Sequence, residues 1–208
     1  MKKLLILLFS IFFLCSPSVF ADDISDFEIE GMSIGDSLLD YMTEKEILEN
    51  IERTKDYFLY LKDPHKYVSV YLWKDLSIYD GLQFFIKNNS TNQYVTNKNE
   101  KYTILQIRGL ITYIEDLDKC MQKKDEVVGV LTKMFPDAIK EEISNSKHPL
   151  DPSGKSFAHL VDFYFDSGDV VRVYCNDWEE NFRIENNYSE GLSVDIATKE
   201  IVEWSTVK

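Results

Sequence analysis

Alternating apolar and polar residues predict a β-hairpin between residues 157 and 178, with its loop at residues 166–168. A two-residue loop would place apolar side chains on the same face as Arg172 and Tyr174. A three-residue loop with a left-handed Gly168 instead gives one face that is apolar throughout. We predict this second register, whose apolar face consists of Val161, Phe163, Phe165, Val171, Val173 and Cys175.

Three earlier runs with a period of two predict an antiparallel meander. They cover residues 67–73, 81–86 and about 101–113, and an Asn-rich connection at 88–100 precedes the third run. The apolar face of the first two runs consists of Val68, Val70, Leu72, Leu82, Phe84 and Ile86, and that of the third consists of Thr103, Leu105, Ile107 and Ile111. Residues 192–196 and 201–204 predict a final hairpin.

Two segments have the 3.6-residue period of an amphipathic helix. The longer one covers residues 116–135, and its apolar stripe consists of Leu117, Cys120, Val127, Leu131 and Phe135. Lys124 interrupts the stripe, and we expect its stem to lie along the stripe with its ammonium in water. A shorter helix at 44–54 follows Thr43 and contains Glu46, which together have the spacing of a capping box.

These elements predict an α+β fold with a mostly antiparallel sheet, built from the meander and two hairpins. The 116–135 helix packs on one face of this sheet, and the short helix lies near the N terminus. Residues 137–156 are rich in charges and turn formers, and we interpret them as a helix remnant and a loop. Residues 22–208 are expected to form a single domain, because a chain of this length can bury one sizeable core.

Residues 1–21 have the pattern of a signal peptide that is cut between Ala21 and Asp22. Two lysines precede an apolar run at 4–14, which is too short to remain as a membrane anchor. The residue before Cys15 is not small, so we do not expect lipid attachment there. The chain is therefore expected to be exported, to the periplasm or beyond it, without a stable membrane anchor after cleavage.

The net charge excludes two classes of partner. The whole chain has 23 Lys and Arg against 36 Asp and Glu, a formal net charge of −13. Without residues 1–21, which hold two of the lysines and no acid, 21 basic residues remain and the net charge is −15. Nucleic acids and anionic membrane surfaces repel such a charge. A basic partner or a cation remains compatible with it, although acidity also serves solubility.

Cys120 and Cys175 are the two cysteines that follow the predicted signal peptide. An even number of cysteines in an exported protein favours a disulfide, and two cysteines allow one intramolecular pairing. Cys120 lies on the apolar stripe of the long helix, and Cys175 on the apolar face of the hairpin. We predict that they are bonded, with Cα atoms about 4.4–6.8 Å apart.

Motifs for catalysis or cofactor binding are weak, and we assign no catalytic, cofactor or metal residue. Residues 154–156, Gly-Lys-Ser, copy the end of a phosphate-binding loop but lack its first glycine and precede a strand. Residues 31–35, Gly-Met-Ser-Ile-Gly, match the letters of a nucleophile elbow around Ser33 without the strand and helix that it needs. His159 shares the apolar face of the hairpin, where a hydrogen-bonded residue at the edge of the core is the more common case.

Aromatic residues accompany the first strand. Tyr67, Tyr71 and Trp73 alternate with its apolar residues and so lie on the opposite face of the sheet. A solvent-exposed aromatic face can stack on sugars or bind a hydrophobic partner. We expect a second layer, such as the short helix or the final hairpin, to cover it.

Four parts of the chain are distinctive: FEIEGMSIGDSLLDYMTEKEI, YDGLQFFIK, DKCMQKKDEVV and DPSGKS followed by VVRVYCNDW. In these parts the chain resembles an uncharacterised family of small exported proteins from marine Gram-negative bacteria. The resemblance implies that Cys120 and Cys175 are a recurring pair, and it supplies no catalytic residues. EGMSIGDSL is also similar to the entry of small outer-membrane assembly modules.

The sequence thus predicts a non-enzymatic binding or scaffold domain in the periplasm, with an unknown protein or small-molecule partner in the cell envelope. One alternative is a periplasmic hydrolase with a site near Ser33 or His159. The other is a small outer-membrane assembly-type module. A cleft that joins Ser33 to a histidine and an acid would favour the hydrolase.

Overall fold

A computed structural model describes residues 24–87 and 98–206 of the chain. The predicted signal peptide, its cleavage site at Ala21 and Asp22 and most of the Asn-rich connection lie outside these residues. The described strands are β1 (Tyr67–Leu72), β2 (Gly81–Lys87), β3 (Ile104–Thr112), β4 (Ile139–Lys147), β5 (Phe157–Tyr164), β6 (Val170–Asp177) and β7 (Gly191–Ala197). The described α-helices are α1 (Glu44–Thr54), α2 (Leu117–Met134), α3 (Glu180–Asn186) and α4 (Lys199–Ser205).

The seven strands form one antiparallel sheet in the order β1-β2-β3-β7-β6-β5-β4. Two three-stranded meanders, β1–β3 and β4–β6, lie on either side of β7, which is the last strand in the chain order. Helix α2 connects the two meanders. The predicted α+β class is confirmed.

One face of the sheet packs against α2 and forms the main core. Strand residues with no or almost no exposed surface, such as Phe84, Phe163 and Val173, meet Cys120 and Leu131 of α2 there. The segment 24–42 completes this core with buried residues that include Ile29 and Leu38. The sulfurs of Cys120 and Cys175 are bonded across the same interface, and their Cα atoms lie 6.1 Å apart. The predicted pairing is therefore confirmed.

The predicted register of the central hairpin is also confirmed. Val161 lies opposite Val173, and Phe163 lies opposite Val171. The amide of Gly168 donates to the carbonyl of Phe165 at 2.8 Å, and Gly168 has a φ of +89°. The loop thus has three residues and uses glycine where a left-handed backbone is required.

The third strand departs from the prediction because its pairing with β2 contains a β-bulge. The register shifts between Phe85 and Ile86, so that Ile104 lies opposite Ile86. Leu105 then points away from the main core and joins a second, smaller cluster with Phe85 and Ile201 on the other face. The prediction that Leu105 shares the face of Ile107 is wrong, because an inserted residue reverses the alternation.

Helix α2 has the predicted ends, with Asp116 as its N-cap and Phe135 as its C-cap. The prediction for Lys124 is wrong, because only 1% of this residue is exposed. Its Nζ lies 3.3 Å from a carboxylate oxygen of Asp125 and 3.8 Å from one of Glu142 in β4. The ammonium is therefore held between carboxylates at the edge of the core rather than in open water.

Three segments differ from the predicted elements. Residues 137–156 contain the nine-residue strand β4, whose side chains are almost all exposed, so that an apolar alternation gives little signal. Glu141 and Glu142 consequently lie in a strand, within a segment interpreted as a helix remnant and a loop. Residues 180–186 form α3. Residues 199–205 form α4 instead of the second strand of a final hairpin, and Ile201 is buried with Trp204 packed beside it on the second face of the sheet.

Strands β1 and β4 form the two edges of the sheet, and α1 covers the edge of β1. Helix α1, with the predicted capping box of Thr43 and Glu46, runs along β1. The hydroxyl of Thr54 donates to the carbonyl of Ser69 at 2.6 Å, and the amide of Tyr71 donates to Asn50 Oδ1 at 3.2 Å. These two side chains thus form hydrogen bonds with backbone groups of β1 that point away from β2. Strand β4 forms the opposite edge.

Candidate functional site

A row of polar side chains crosses the second face of the sheet, opposite α2. The strand register places one residue from each of the seven strands side by side. In spatial order the row consists of Tyr71, Gln83, Arg108, Asp195, Arg172, Asp162 and Glu141. We call it the polar row. Because side chains alternate along a strand, each member points away from the main core.

Arg108 and Asp195 form the centre of the polar row. Arg108 donates to Asp195 Oδ2 from Nε at 3.3 Å and from Nη2 at 3.0 Å. Its Nη1 donates to Gln83 Oε1 at 3.0 Å, and Gln106 donates to Asp195 Oδ1 at 2.6 Å. Gln83 in turn donates to the hydroxyl of Tyr71 at 2.9 Å. This part of the row is a closed hydrogen-bond network, with 5% of Gln83 and 6% of Asp195 exposed.

Arg172 forms the second ion pair of the row and remains open on one side. Its Nε and Nη2 donate to the two oxygens of Asp162, both at 2.6 Å, and Tyr164 donates to the same carboxylate at 2.9 Å. The Asp162 side chain is 2% exposed, whereas that of Arg172 is 43% exposed. Nη1 of Arg172 forms no hydrogen bond with any residue in the described part of the chain. Arg172 therefore has donors to spare at the surface of the site.

Both guanidinium groups stay positively charged. Burial works against the charge on Arg108, but its interactions with Tyr174 and Asp195 raise its pKa above the usual value. The hydrogen bonds to Asp162 raise the pKa of Arg172 in the same direction, against the effect of burial. These two guanidinium groups thus give the site two positive charges over the whole physiological pH range.

An aromatic wall stands beside the polar row. Helix α4 and the segment 57–61 lie over one end of the second face and bring Phe58, Phe85 and Trp204 together. The ring centroid of Phe58 lies 5.0 Å from that of Phe85 and 5.9 Å from that of Trp204. Tyr67 packs edge-on against Trp204 at 5.1 Å. The predicted covering of the aromatic face is thus achieved at Tyr67, although by a helix instead of a hairpin strand.

The wall and the polar row enclose a cavity of about 510 Å³, which we call the sheet-face groove. Its polar residues include Gln83, Gln106, Arg108, Arg172 and Asp195. Its apolar residues include Phe58, Leu61, Phe85, Leu150, Val170, Ala197, Ile201, Val202 and Trp204. The volume lies within the range of about 300–1,000 Å³ that is usual for small-molecule sites. The groove can therefore hold a ligand with a polar end and an apolar body.

Tyr71 and Trp73, predicted to lie on the aromatic face, remain outside the wall. Their rings are stacked with centroids 5.7 Å apart and planes at 3°. The Trp73 ring lies over Gly81, where an added Cβ would come within 2.2 Å of it. Trp73 is 57% exposed. Trp73 is thus open to solvent, whereas Tyr71 is half-buried.

The structure does not bring the two hydrolase candidates together. Gly35 donates to the carbonyl of Ile104 at 2.9 Å, so the loop of Ser33 lies at the first end of β3. Across the sheet His159 is level with Ile111, near the other end of β3. At the usual rise per residue the two levels are roughly 20 Å apart. His159 is 7% exposed and its Nδ1 accepts from the amide of Asn145 at 3.4 Å, which fits a hydrogen-bonded residue at the edge of the core.

The Gly-Lys-Ser triplet belongs to a loop that is organised by Asp151. This carboxylate accepts hydrogen bonds from the backbone and hydroxyl groups of Ser153 and Ser156. Burial alone would raise the pKa of Asp151, but these hydrogen bonds bring it well below its usual value. Because the Asp151 carboxylate already accepts from these donors, they are not available to a phosphate. The triplet is therefore part of a structural turn.

Neither a metal centre nor a membrane span was found in the described residues. No group of three or more His, Cys, Asp or Glu side chains within residues 24–87 and 98–206 is placed to hold a metal ion. In the same residues no helix has the length and apolar character that crossing a membrane requires.

Comparisons of the chain with protein-family models, curated proteins and solved structures found no match. The geometry of the site itself must therefore support any functional proposal.

Sequence reasoning missed the polar row, although each strand carried a signal. Gln83, Arg108, Asp162, Arg172 and Asp195 are polar or charged residues flanked mainly by apolar ones in five of the strands. A single such residue is unremarkable on a half-exposed strand. Their alignment depends on the position of β7 between β3 and β6, which the prediction of a final hairpin did not provide.

Proposed function

We propose that this protein is an exported, non-enzymatic binding domain whose ligand site is the sheet-face groove. The observation that supports it most is the groove itself, with a polar floor, an aromatic wall and an arginine that keeps unused donors. The charged groups of the floor are engaged with one another in hydrogen bonds. Such an arrangement suits recognition, because Arg108 and Arg172 keep their positive charge and can hold a ligand in place.

Export is supported by three features. Residues 1–21 have the pattern of a signal peptide, and disulfides persist mainly in oxidising compartments. The resemblance to small exported proteins of marine Gram-negative bacteria points in the same direction. A hydrolase at Ser33 or His159 gains no support from the contacts of either residue, and the outer-membrane assembly alternative rests on EGMSIGDSL alone.

Native mass spectrometry of the protein, exported into the periplasm of a Gram-negative host and purified without detergent, tests the proposal. A ligand held in the groove gives a mass above that of the chain, which disappears under denaturing conditions. Ala197→Phe fills the groove and should abolish the extra mass, whereas Val130→Phe on the outer side of α2 should leave it unchanged. Circular dichroism checks that both variants fold.

A protein of unchanged mass, together with no binding of any compound in a thermal-shift screen, would contradict the proposed function. So would an extra mass that Ala197→Phe retains, because the ligand would then lie elsewhere. Intact mass also tests export, since cleavage between Ala21 and Asp22 is expected.

A further inference from the structure

We infer that the ligand of the sheet-face groove is an amphipathic carboxylate, with its carboxylate at Arg172 and its apolar body against the aromatic wall. This inference rests on the proposed function and adds the chemical class of the ligand. Three features of the groove carry it: the free donors, the balance of charge along the lining, and the apolar surface beside them.

The guanidinium of Arg172 supplies the free hydrogen-bond donors. Asp162 occupies one edge of the Arg172 guanidinium through Nε and Nη2, both at 2.6 Å. Nη1 lines the other edge, has no hydrogen-bond partner among the described residues, and belongs to a side chain that is 43% exposed. A guanidinium presents paired donors that match the two oxygens of a carboxylate. Asp162 holds the group in place, so its free edge is already oriented for a ligand.

The charge balance selects one negative charge rather than several. The residues that line the groove include Arg108, Arg172 and Asp195, which gives the lining a formal charge of +1. With Asp162, which is bonded to Arg172, these charges sum to zero, whereas the chain as a whole carries −13. Asp195 and Asp162 lie beside the two arginines and would repel a phosphate dianion more strongly than a carboxylate. The positive charge of Arg172 would repel a cationic head group.

The apolar wall requires a body that water solvates poorly. Phe58, Phe85 and Trp204 line the groove together with four aliphatic residues: Leu150, Val170, Ile201 and Val202. An alkyl or aryl group in contact with these side chains leaves water, which is favourable by the hydrophobic effect. It also excludes water from the salt bridge at Arg172 and so strengthens it.

Three probes with the same twelve-carbon chain test the inference, each titrated below its micelle concentration by isothermal calorimetry. They are dodecanoate, dodecyl maltoside and dodecyltrimethylammonium, with a carboxylate, a neutral sugar and a cationic head group. Dodecanoate should bind about tenfold or more tightly than either of the others, as expected for one charge-assisted pair.

Arg172→Gln should remove this preference. We expect it to weaken dodecanoate about tenfold while leaving dodecyl maltoside unchanged, because only the carboxylate needs the guanidinium. Arg53→Gln, at an exposed position of α1, is the matched control and should change neither affinity.

Arg172→Gln leaves the buried Asp162 without its ion-pair partner, so a second pair of variants tests the inference without breaking that pair. Thr206 lines the groove at an exposed position, so charges introduced there are tolerated. Thr206→Lys should strengthen dodecanoate binding and Thr206→Glu should weaken it, by about two- to threefold each, with little change for dodecyl maltoside.

Equal or tighter binding of dodecyl maltoside or dodecyltrimethylammonium would overturn the carboxylate inference and leave a binding groove of another specificity. Absence of binding for all three probes would also overturn it. The proposed function is decided separately, by the ligand mass in the native spectrum and its loss in Ala197→Phe.

Discussion

Glu30 fastens the segment 24–42 to the rest of the molecule. Its carboxylate accepts hydrogen bonds from three successive amides, those of Ser77, Ile78 and Tyr79, at 2.6–3.1 Å. The hydroxyl of Ser77 adds a fourth donor at 2.6 Å. Burial alone would raise the pKa of Glu30, but these hydrogen bonds lower it from 4.5 to about 2. The folded state thus prefers the charged carboxylate.

Glu30→Gln should lower the free energy of unfolding at pH 7 by about 1–3 kcal/mol, because an amide cannot accept from all four donors. The pKa is depressed on folding, so this stabilisation is fully present above pH 4.5 and is lost as the pH falls towards 2. Urea denaturation of both proteins should show a difference at pH 7 that shrinks by pH 3. Glu28→Gln, at an exposed position, should have no such effect.

Lys124 is a buried cation whose partners are exposed. The side chains of Asp125 and Glu142 are 72% and 54% exposed, so they remain hydrated when the lysine is removed. We expect Lys124→Met to change stability by less than about 1 kcal/mol, because an apolar side chain of similar length fills the site without a desolvation penalty. Lys124→Ala should destabilise by about 2 kcal/mol, because it leaves a cavity. Equal losses in chemical denaturation would show that the charge, not the volume, matters.

Local chemistry made some residues predictable and others not. The capping box of Thr43 and Glu46 and the left-handed Gly168 depend on neighbours within a few positions, and both were predicted. The depth of Lys124 depends on how closely α2 approaches β4, and the position of Leu105 depends on a bulge against β2. Neither the burial of Lys124 nor the orientation of Leu105 can be predicted from the residues next to it in the sequence.

At the scale of elements, α1 acts as a cover for the edge of β1. The hydroxyl of Thr54 donates to an outward-facing carbonyl of that strand, and Thr54 itself is 3% exposed. An uncovered edge invites pairing with another chain, and helices are one way to prevent it. The opposite edge, β4, instead carries charged side chains at residues 140–142 and 147, which serve the same purpose.

Thr54→Val should lower the free energy of unfolding by about 1 kcal/mol, because the carbonyl of Ser69 loses its partner while the shape of the side chain is kept. Thr132→Val is a matched control, since the Thr132 hydroxyl bonds only within α2, to the carbonyl of Val128. Guanidinium denaturation of both variants gives the comparison. A larger loss for Thr132→Val would contradict a covering role for α1.

Elements with one strongly apolar face were predicted with nearly correct ends, as the bounds of α1, α2, β1 and β5 illustrate. Strand β4 was missed because it lies at an edge and buries almost nothing. Helix α4 was mistaken for a strand because the apolar residues Ile201, Val202 and Trp204 fit both periods over so short a run, and packing on the second face of the sheet decides between them.

For the whole molecule, the disulfide ties α2 to β6 across the main core. Cys120 and Cys175 are 55 positions apart, and closing such a loop stabilises the folded state by about 4 kcal/mol in the chain-entropy model. We expect reduction, or Cys120→Ala with Cys175→Ala, to lower the melting temperature by roughly 10 °C. Calorimetry with and without reductant measures this. Two reactive thiols in the denatured, unreduced protein would contradict the bond.

The class of the fold was predictable because it follows from the number and type of elements, but the order of the strands was not. The chain order gives a meander, a helix and a second meander, and nothing within β7 tells that it lies between them. The polar row, and with it the candidate site, exists only once Asp195 joins Arg108 to Arg172.

The position of β7 also determines when the sheet can close during synthesis. The ribosome makes the central strand after the six strands that flank it. Until residues 191–197 emerge, β3 and β6 each present an unpaired edge, and the two meanders cannot join into one sheet. Nascent chains in this state are exposed to mispairing with one another. Closure of the sheet therefore depends on β7, which is made after the six strands that it joins.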